Sequence, residues 1–400
     1  MNDQIAEKNK SLGFAQAFSL YQSSNKIPSS WVEISTSALY HNIEQYRSIV
    51  PTGTYLIPVI KSNAYGHGLL QVGYLLDQNK SVNAIGVVAL SEAVQLRAAG
   101  ITKDILVLGI IDAPLQTVID LGLQLVVYDE LVIAELDQLA EFCNKSAKIH
   151  IKVDTGLSRL GFLPDDAFEC IQRTNSLKHI EIAGISTHFA NSENKDDAFV
   201  KIQLSRFKRL LERLQKLGIH IPLQHVSCSA ALSGYKEAHF SAVRFGIGLY
   251  GLWPSQENKV RTLQNYPHFN LKPVLTWKTR IIQIKTIPAG SFVGYNLTHR
   301  VEIDTKIGVL PIGYWDGIDR NLSNKGSVMV NGRIAKMIGT IAMNLCMIDL
   351  SGIDVQVNDE VLLLGEHEMI SAQAIACHTD TINYEVVTRI NPLLPRVVAL

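Results

Sequence analysis

Tyr55-Leu56-Ile57-Pro58-Val59-Ile60-Lys61-Ser62-Asn63-Ala64-Tyr65-Gly66-His67-Gly68 is a short apolar run that stops at a lysine and a flexible polar turn. Continuous apolar runs suit parallel strands covered on both faces, whereas half-exposed strands alternate. Run 55–60 is the first of eight, followed by 84–90, 105–110, 123–128, 149–153, 180–188, 224–229 and 242–250. Polar or amphipathic stretches separate them, of which 91–99, 130–142 and 196–216 read most clearly as helices. Eight strand-helix units in succession favour a closed (β/α)8 barrel over an open doubly wound sheet. No Gly-rich dinucleotide fingerprint follows the first run, which weakens the open-sheet alternative.

Outward from the barrel, assigned to 27–263, residues 1–26 form a polar extension with little to pack. Past residue 264 the texture changes to β-branched runs at 276–287, 306–310, 327–330, 334–338, 346–350 and 360–364. Asn331-Gly332 is a hairpin signal between two of them, and 264–400 is expected to be a mostly β domain. A chain of 400 residues, 47% hydrophobic, can fill two such cores.

Lys and Arg total 37, as do Asp and Glu, so no net field draws the chain to nucleic acid or an anionic membrane. A small molecule is the expected partner. No apolar stretch reaches the about 18 residues of a spanning helix, and Asp3 and Glu7 spoil the N-terminal charge pattern of a secretory signal. Five scattered cysteines show no metal-ligand spacing and suit a reducing cytoplasm. No metal is expected.

Side chains at the carboxyl ends of barrel strands converge on the active site. There the first run places Lys61, the fifth Lys152-Val153-Asp154-Thr155-Gly156 with Arg159, the sixth His188, the seventh Cys228-Ser229, and the eighth Arg244-Phe245-Gly246-Ile247-Gly248. A desolvated lysine amine with cationic neighbours can form a Schiff base with an aldehyde cofactor. Gly246 and Gly248 let backbone N–H groups approach a phosphate, and Ser229 can add a hydrogen bond. Taken singly, Lys61 reads more readily as a solvated lysine, His188 as a core histidine and Arg244 as a salt-bridge partner. Five polar strand ends on one face are harder to explain as structure alone.

From about residue 31 to 396 the chain resembles the alanine racemase family. The likeness lies in the Val59–Gly68 string, altered mainly at Ser62, and in Lys152-Val153-Asp154-Thr155-Gly156 with Arg159. It continues in Arg244-Phe245-Gly246-Ile247 with Tyr250, Gly294-Tyr295, Pro311-Ile312-Gly313-Tyr314 and Asn383-Tyr384-Glu385. The resemblance implies pyridoxal 5′-phosphate held by Lys61, with Tyr65, Ser229, Gly246, Ile247 and Tyr384 on its phosphate. His188 and Arg244 would line the cofactor, Arg244 facing the pyridine nitrogen. A permanently charged guanidinium there keeps that nitrogen unprotonated and suppresses side reactions.

Racemisation needs acid/base groups on both faces of the α-carbon. The resemblance assigns them to Lys61 and to Tyr295 of the partner subunit, so a homodimer with shared sites is implied. Arg159, the Met343 N–H and Tyr314 would serve the substrate, and Lys152 matches a lysine that is carbamylated in many relatives. The product would be D-alanine for cell-wall precursors.

Four positions depart from the family pattern: Thr340 where Arg is usual, Asn344 for Asp, Asn296 for Gly and Cys228 for Asn. A neutral entrance at Thr340 and Asn344 would admit serine or basic amino acids besides alanine, giving a broader-specificity racemase as the alternative; neutral drift explains the changes equally. A non-catalytic cofactor carrier would lack the second domain. A decarboxylase on the related scaffold would carry a cysteine in place of the Tyr295 and Tyr314 pair.

Overall fold

The computed structural model describes residues 28–399, so the 1–26 extension lies outside the described residues. The chain enters through β1 (Ser30–Ser35) and then forms eight parallel strands. These are β2 (Tyr55–Pro58), β3 (Ala84–Ala89), β4 (Asp104–Ile110), β5 (Gln124–Val127), β6 (Ala147–Lys152), β7 (Ile180–Ser186), β8 (Leu223–His225) and β9 (Ala242–Phe245). All eight runs contain strands, and all but 105–110 stop short of the run's carboxyl end, run 242–250 passing into a buried 3-10 turn over Ile247–Tyr250. β3 to β8 pair in sequence order and β9 returns to pair with β2. A bridge from Val59 to Gly86 joins β2 to β3, and the Ser241 hydroxyl accepts the Gln224 N–H at 2.7 Å where β8 meets β9. The circle is an α/β barrel.

Alternation along the strands explains why the runs are apolar throughout. Ile57, Ala84, Leu106, Val126 and Ala242 form one buried cluster inside the ring, while their neighbours Leu56, Ile85, Ile105 and Leu125 face the larger core under the helices. The helix Glu130–Phe142 shows the matching period, burying Ile133, Leu136 and Ala140, with Asp129 capping the Leu131 N–H. Each fully buried Leu or Ile contributes roughly 1.5–3 kcal/mol.

The second domain is built on β10 (Leu275–Arg280), β11 (Gln283–Ile287), β12 (Thr305–Leu310), β13 (Ser327–Val330), β14 (Arg333–Ile338), β15 (Cys346–Asp349), β16 (Glu360–Leu364) and β17 (Arg396–Ala399). With β1 they form a nine-stranded sheet in the order β11-β12-β15-β14-β13-β16-β10-β1-β17. Asn331 and Gly332, at φ 49 and 73, turn β13 into β14 as their sequence implies. Run 276–287 is two strands, because the chain turns a corner at Ile281 and Ile282, whose N–H groups reach Asp359 and Val309 on different neighbours. β1 and β17 carry no signal in the sequence reading. β1 pairs with β10 and β17, partners far along the chain.

Candidate active site

Lys61 follows β2 and begins a turn with four consecutive left-handed residues, Ser62, Asn63, Ala64 and Tyr65, at φ 57, 53, 53 and 52. Side chains oppose that conformation by roughly 1–2 kcal/mol per residue. Hydrogen bonds and packing offset the cost. The Glu92 carboxylate accepts the Ser62 N–H at 2.6 Å while also holding the Val88 and Ala89 N–H groups, and the Asn63 amide oxygen accepts the Leu69 N–H at 2.9 Å. On the far side Arg396 donates to the Gly66 carbonyl at 3.0 Å. A Cβ at Gly66 would lie 1.9 Å from the Val387 carbonyl oxygen, so glycine lets the helix Asn383–Thr388 pack there and bring Tyr384 over the site.

A cavity of about 740 Å³ opens at the carboxyl ends of the barrel strands. It is lined by Lys61, Tyr65, Lys152, Arg159, His188, Ser229, Arg244, Gly246, Ile247 and Tyr384, which the sequence reading had grouped from five strand ends and the C-terminal region. Burial, then the Arg159 charge, lowers the Lys61 amine below the usual lysine range, against an opposing pull from Glu92. Lys152 is driven well below its ordinary value by burial and then by Arg244 and Arg159. His188 is held neutral by burial and by the charges of Lys152, Arg244, Arg159 and Lys61.

Arg244 is buried and spends its N–H groups on the carbonyls of His225 and Thr187, both at 2.9 Å, and on the His225 ring nitrogen Nδ1. Among the described residues it has no carboxylate partner, so the salt-bridge reading of this arginine does not hold. Burial pushes it down to about 10.

The Ser229 hydroxyl accepts the N–H groups of Gly246 at 3.0 Å and Gly248 at 3.2 Å. A Cβ at Gly246 would fall 2.4 Å from the Tyr65 hydroxyl, so these groups surround a space that only glycine leaves open. With its oxygen accepting both N–H groups, the Ser229 hydroxyl keeps its own proton to donate, and with the Tyr65 hydroxyl beside it this pair of donors suits a phosphate. Tyr384 donates instead to Glu193 at 2.9 Å. Glu193 and Glu92 were missed in the sequence, one lying in a loop and the other reading as an ordinary first-turn helix acid.

Tyr295, Tyr314 and Met343 are not in this cavity. The second domain gathers them on its surface, with Tyr295 67% exposed and Met343 53%. The Thr340 hydroxyl donates to the Tyr295 carbonyl at 2.9 Å, and the N–H groups of Tyr314 and Trp315 reach Ala342 and Met343. Asn296 and Leu297 follow Tyr295 in the left-handed region, a conformation that asparagine tolerates better than most side chains.

Residues 34–254 match the family model for the alanine racemase N-terminal domain, and 274–398 match the model for the C-terminal domain. The chain belongs to the alanine racemase family. It is 41% identical over 370 residues to the alanine racemase of Halothermothrix orenii, covering 92% of this chain and 96% of that one. The Methanococcus maripaludis alanine racemase is 38% identical, with 92% and 98% covered. Among solved alanine racemases, that of Clostridium difficile 630 superimposes with a TM-score of 0.87 at 32% identity, covering 94% of this chain and 97% of the other. The Bacillus anthracis alanine racemase with bound L-Ala-P gives 0.83 at 30% identity, covering 94% and 96%. Among the described residues no helix is long and apolar enough to cross a membrane.

Proposed function

We propose that this chain interconverts L- and D-alanine with pyridoxal 5′-phosphate on Lys61, as a cytoplasmic homodimer supplying D-alanine for cell-wall precursors. One observation carries the reading. A lysine amine depressed by burial and by Arg159 opens onto the same cavity as a phosphate-sized cradle at Ser229 and Gly246.

The cofactor, when bound, withdraws electrons from the substrate α-carbon and so makes its hydrogen removable as a proton. Ser229, Tyr65 and the Ile247 N–H would hold the phosphate, joined by Tyr384 and the Gly246 N–H on exchange of their present partners Glu193 and Ser229. Arg244 would face the ring nitrogen and, as a permanently charged donor, would leave it unprotonated. Lys61 takes or returns the proton on one face of the α-carbon, and the partner subunit's Tyr295 serves the other face. That Tyr295 stands exposed on its own chain, beside exposed Tyr314, Trp315 and Met343, supports a role across a subunit interface. Arg159 and the Met343 N–H take the substrate carboxylate, Tyr314 lies beside it, and His188 stays neutral.

Lys152 is the candidate for carbamylation. An amine held uncharged among Arg244 and Arg159 is the form that adds carbon dioxide, releasing a proton and leaving a carbamate that both arginines attract. Intact mass with and without bicarbonate tests this, and an unmodified Lys152 in active enzyme would reject it.

Racemisation is tested by chiral chromatography of L-alanine incubated with the protein and cofactor. D-alanine is expected, and its absence would reject the assignment. A broader substrate range has one observation behind it. Thr340 spends its hydroxyl on the Tyr295 carbonyl and brings no charge to this part of the second domain, where the family resemblance implies an arginine. A panel of L-amino acids, serine and lysine included, decides between the two ranges.

A further inference from the structure

Arg244 presents a paradox of charge: a buried guanidinium surrounded by carbonyls and the rings of His225 and His188, with the basic side chains of Lys61 and Arg159 on the same cavity. What stabilises it is visible only by following His225 inward. His225 Nε2 lies 2.8 Å from His150 Nδ1, His150 Nε2 lies 2.8 Å from Gln124 Oε1, and Gln124 Nε2 donates to Asp104 Oδ2 at 3.0 Å. Tyr55 donates to the same Asp104 oxygen at 3.2 Å. Asp104 begins β4 on the opposite mouth of the barrel and is exposed, whereas Gln124, His150 and His225 are buried inside.

The direction of this chain is determined from both ends independently. An arginine only donates, so His225 Nδ1 must accept and its proton must sit on Nε2. The Asp104 carboxylate accepts from the Gln124 amide nitrogen, which turns the amide oxygen toward His150 and requires a proton on His150 Nε2. His150 Nδ1 is then an acceptor for the His225 Nε2–H, and the two deductions meet without conflict. Every bond points the same way, from the cation at one end toward the anion at the other. Bonds so aligned polarise one another.

The barrel makes room for this thread. A Cβ on Gly184, the β7 residue that pairs with His150, would lie 2.1 Å from His150 Nδ1, so any side chain there would displace the ring from His225. Burial and then the Arg244 charge push His150 down to about 3 and hold His225 well below its ordinary range, in keeping with two neutral rings.

We propose that Asp104 is the remote counter-charge of Arg244, coupled to it through the neutral side chains of Gln124, His150 and His225, which act as positioning residues. A carboxylate placed directly on the guanidinium would cancel the field presented to the cavity. One at the far mouth steadies the charge and leaves that field intact. The consequence for catalysis rests on Arg244 facing the cofactor ring, but the coupling itself is a property of the chain and is measurable without cofactor. Arg97 also feels Asp104, yet its N–H groups go to the carbonyls of Leu121, Ile101 and Lys103.

The test is NMR of the full-length cofactor-free protein labelled with 15N-histidine. Both His150 and His225 should be Nε2–H tautomers, with the His225 Nε2–H proton shifted downfield. Asp104→Asn, an exposed change that keeps an acceptor for Gln124, should move that proton upfield. In Gln124→Met the same Asp104→Asn change should produce no further shift, because the thread is cut. An Nδ1–H tautomer or an imidazolium at either ring would overturn the proposal. So would a His225 resonance indifferent to Asp104→Asn, or one shifted equally with Gln124 present and absent. Should Gln124→Met not fold, the tautomers and the Asp104→Asn shift still decide. Loss of the coupling with racemisation intact refutes this proposal alone, and the reverse refutes only the assigned activity.

Discussion

Gly246→Ala tests the phosphate cradle at its tightest point. The new methyl carbon would sit 2.4 Å from the Tyr65 hydroxyl and 2.9 Å from the ring carbon that bears it. Tyr65 cannot simply swing away, because its ring packs at 5.1 Å from Tyr250 and 6.3 Å from Tyr384. Overpacking of this kind costs about 1–3 kcal/mol. The Tyr65 hydroxyl that the methyl strikes would lose its hydrogen bond to a charged phosphate, roughly 1.5–3 kcal/mol more when cofactor binds. At 1.4 kcal/mol per tenfold, the second figure predicts pyridoxal 5′-phosphate affinity weakened by about 10- to 100-fold. Absorbance titration of the cofactor-free variant measures the affinity, and thermal unfolding of the same sample measures the packing cost separately. A variant that binds cofactor as tightly as the parent would refute the placement of the phosphate between Tyr65 and Gly246.

Three further outcomes are expected. Burial raises the Glu193 carboxyl above its ordinary value, so the folded state holds that proton more tightly and stability falls as pH rises through the raised value; Glu193→Gln should remove this decline, leaving the variant the more stable at neutral pH in melting curves. Glu92→Gln removes the charge that opposes the lowering of Lys61 and weakens the hold on the Ser62 N–H. Amine-directed modification of Lys61 in cofactor-free protein should therefore extend to lower pH, and an unchanged profile would deny the coupling. Mixing Lys61→Ala with Tyr295→Phe protein should restore part of the activity through one intact site per mixed dimer; no recovery after demonstrated subunit exchange would exclude shared sites.

The barrel was legible because burial on both faces writes itself into sequence as unbroken apolar runs, and all eight became strands. The hairpin at Asn331 and Gly332 was equally plain, since positive φ at two successive residues selects those side chains. β1 was not legible. Its six residues carry no turn signal tying them to Leu275–Arg280 or Arg396–Ala399, and long-range pairing leaves no local trace. The same limit applies at the site. Lys61, Lys152, His188, Ser229 and Arg244 stand at strand ends, where the barrel topology itself points to them. Glu92 and Glu193 act across gaps in the chain, and the thread from His225 to Asp104 runs through the barrel interior between residues that look unrelated in sequence.

Proton exchange at the substrate α-carbon tests the account most directly. Protein loaded with pyridoxal 5′-phosphate and given L-alanine in deuterium oxide should wash the α-proton signal out of the NMR spectrum while D-alanine accumulates to equality with L-alanine. An α-proton that persists, with L-alanine unchanged in a sample whose cofactor is demonstrably bound to Lys61, would contradict it.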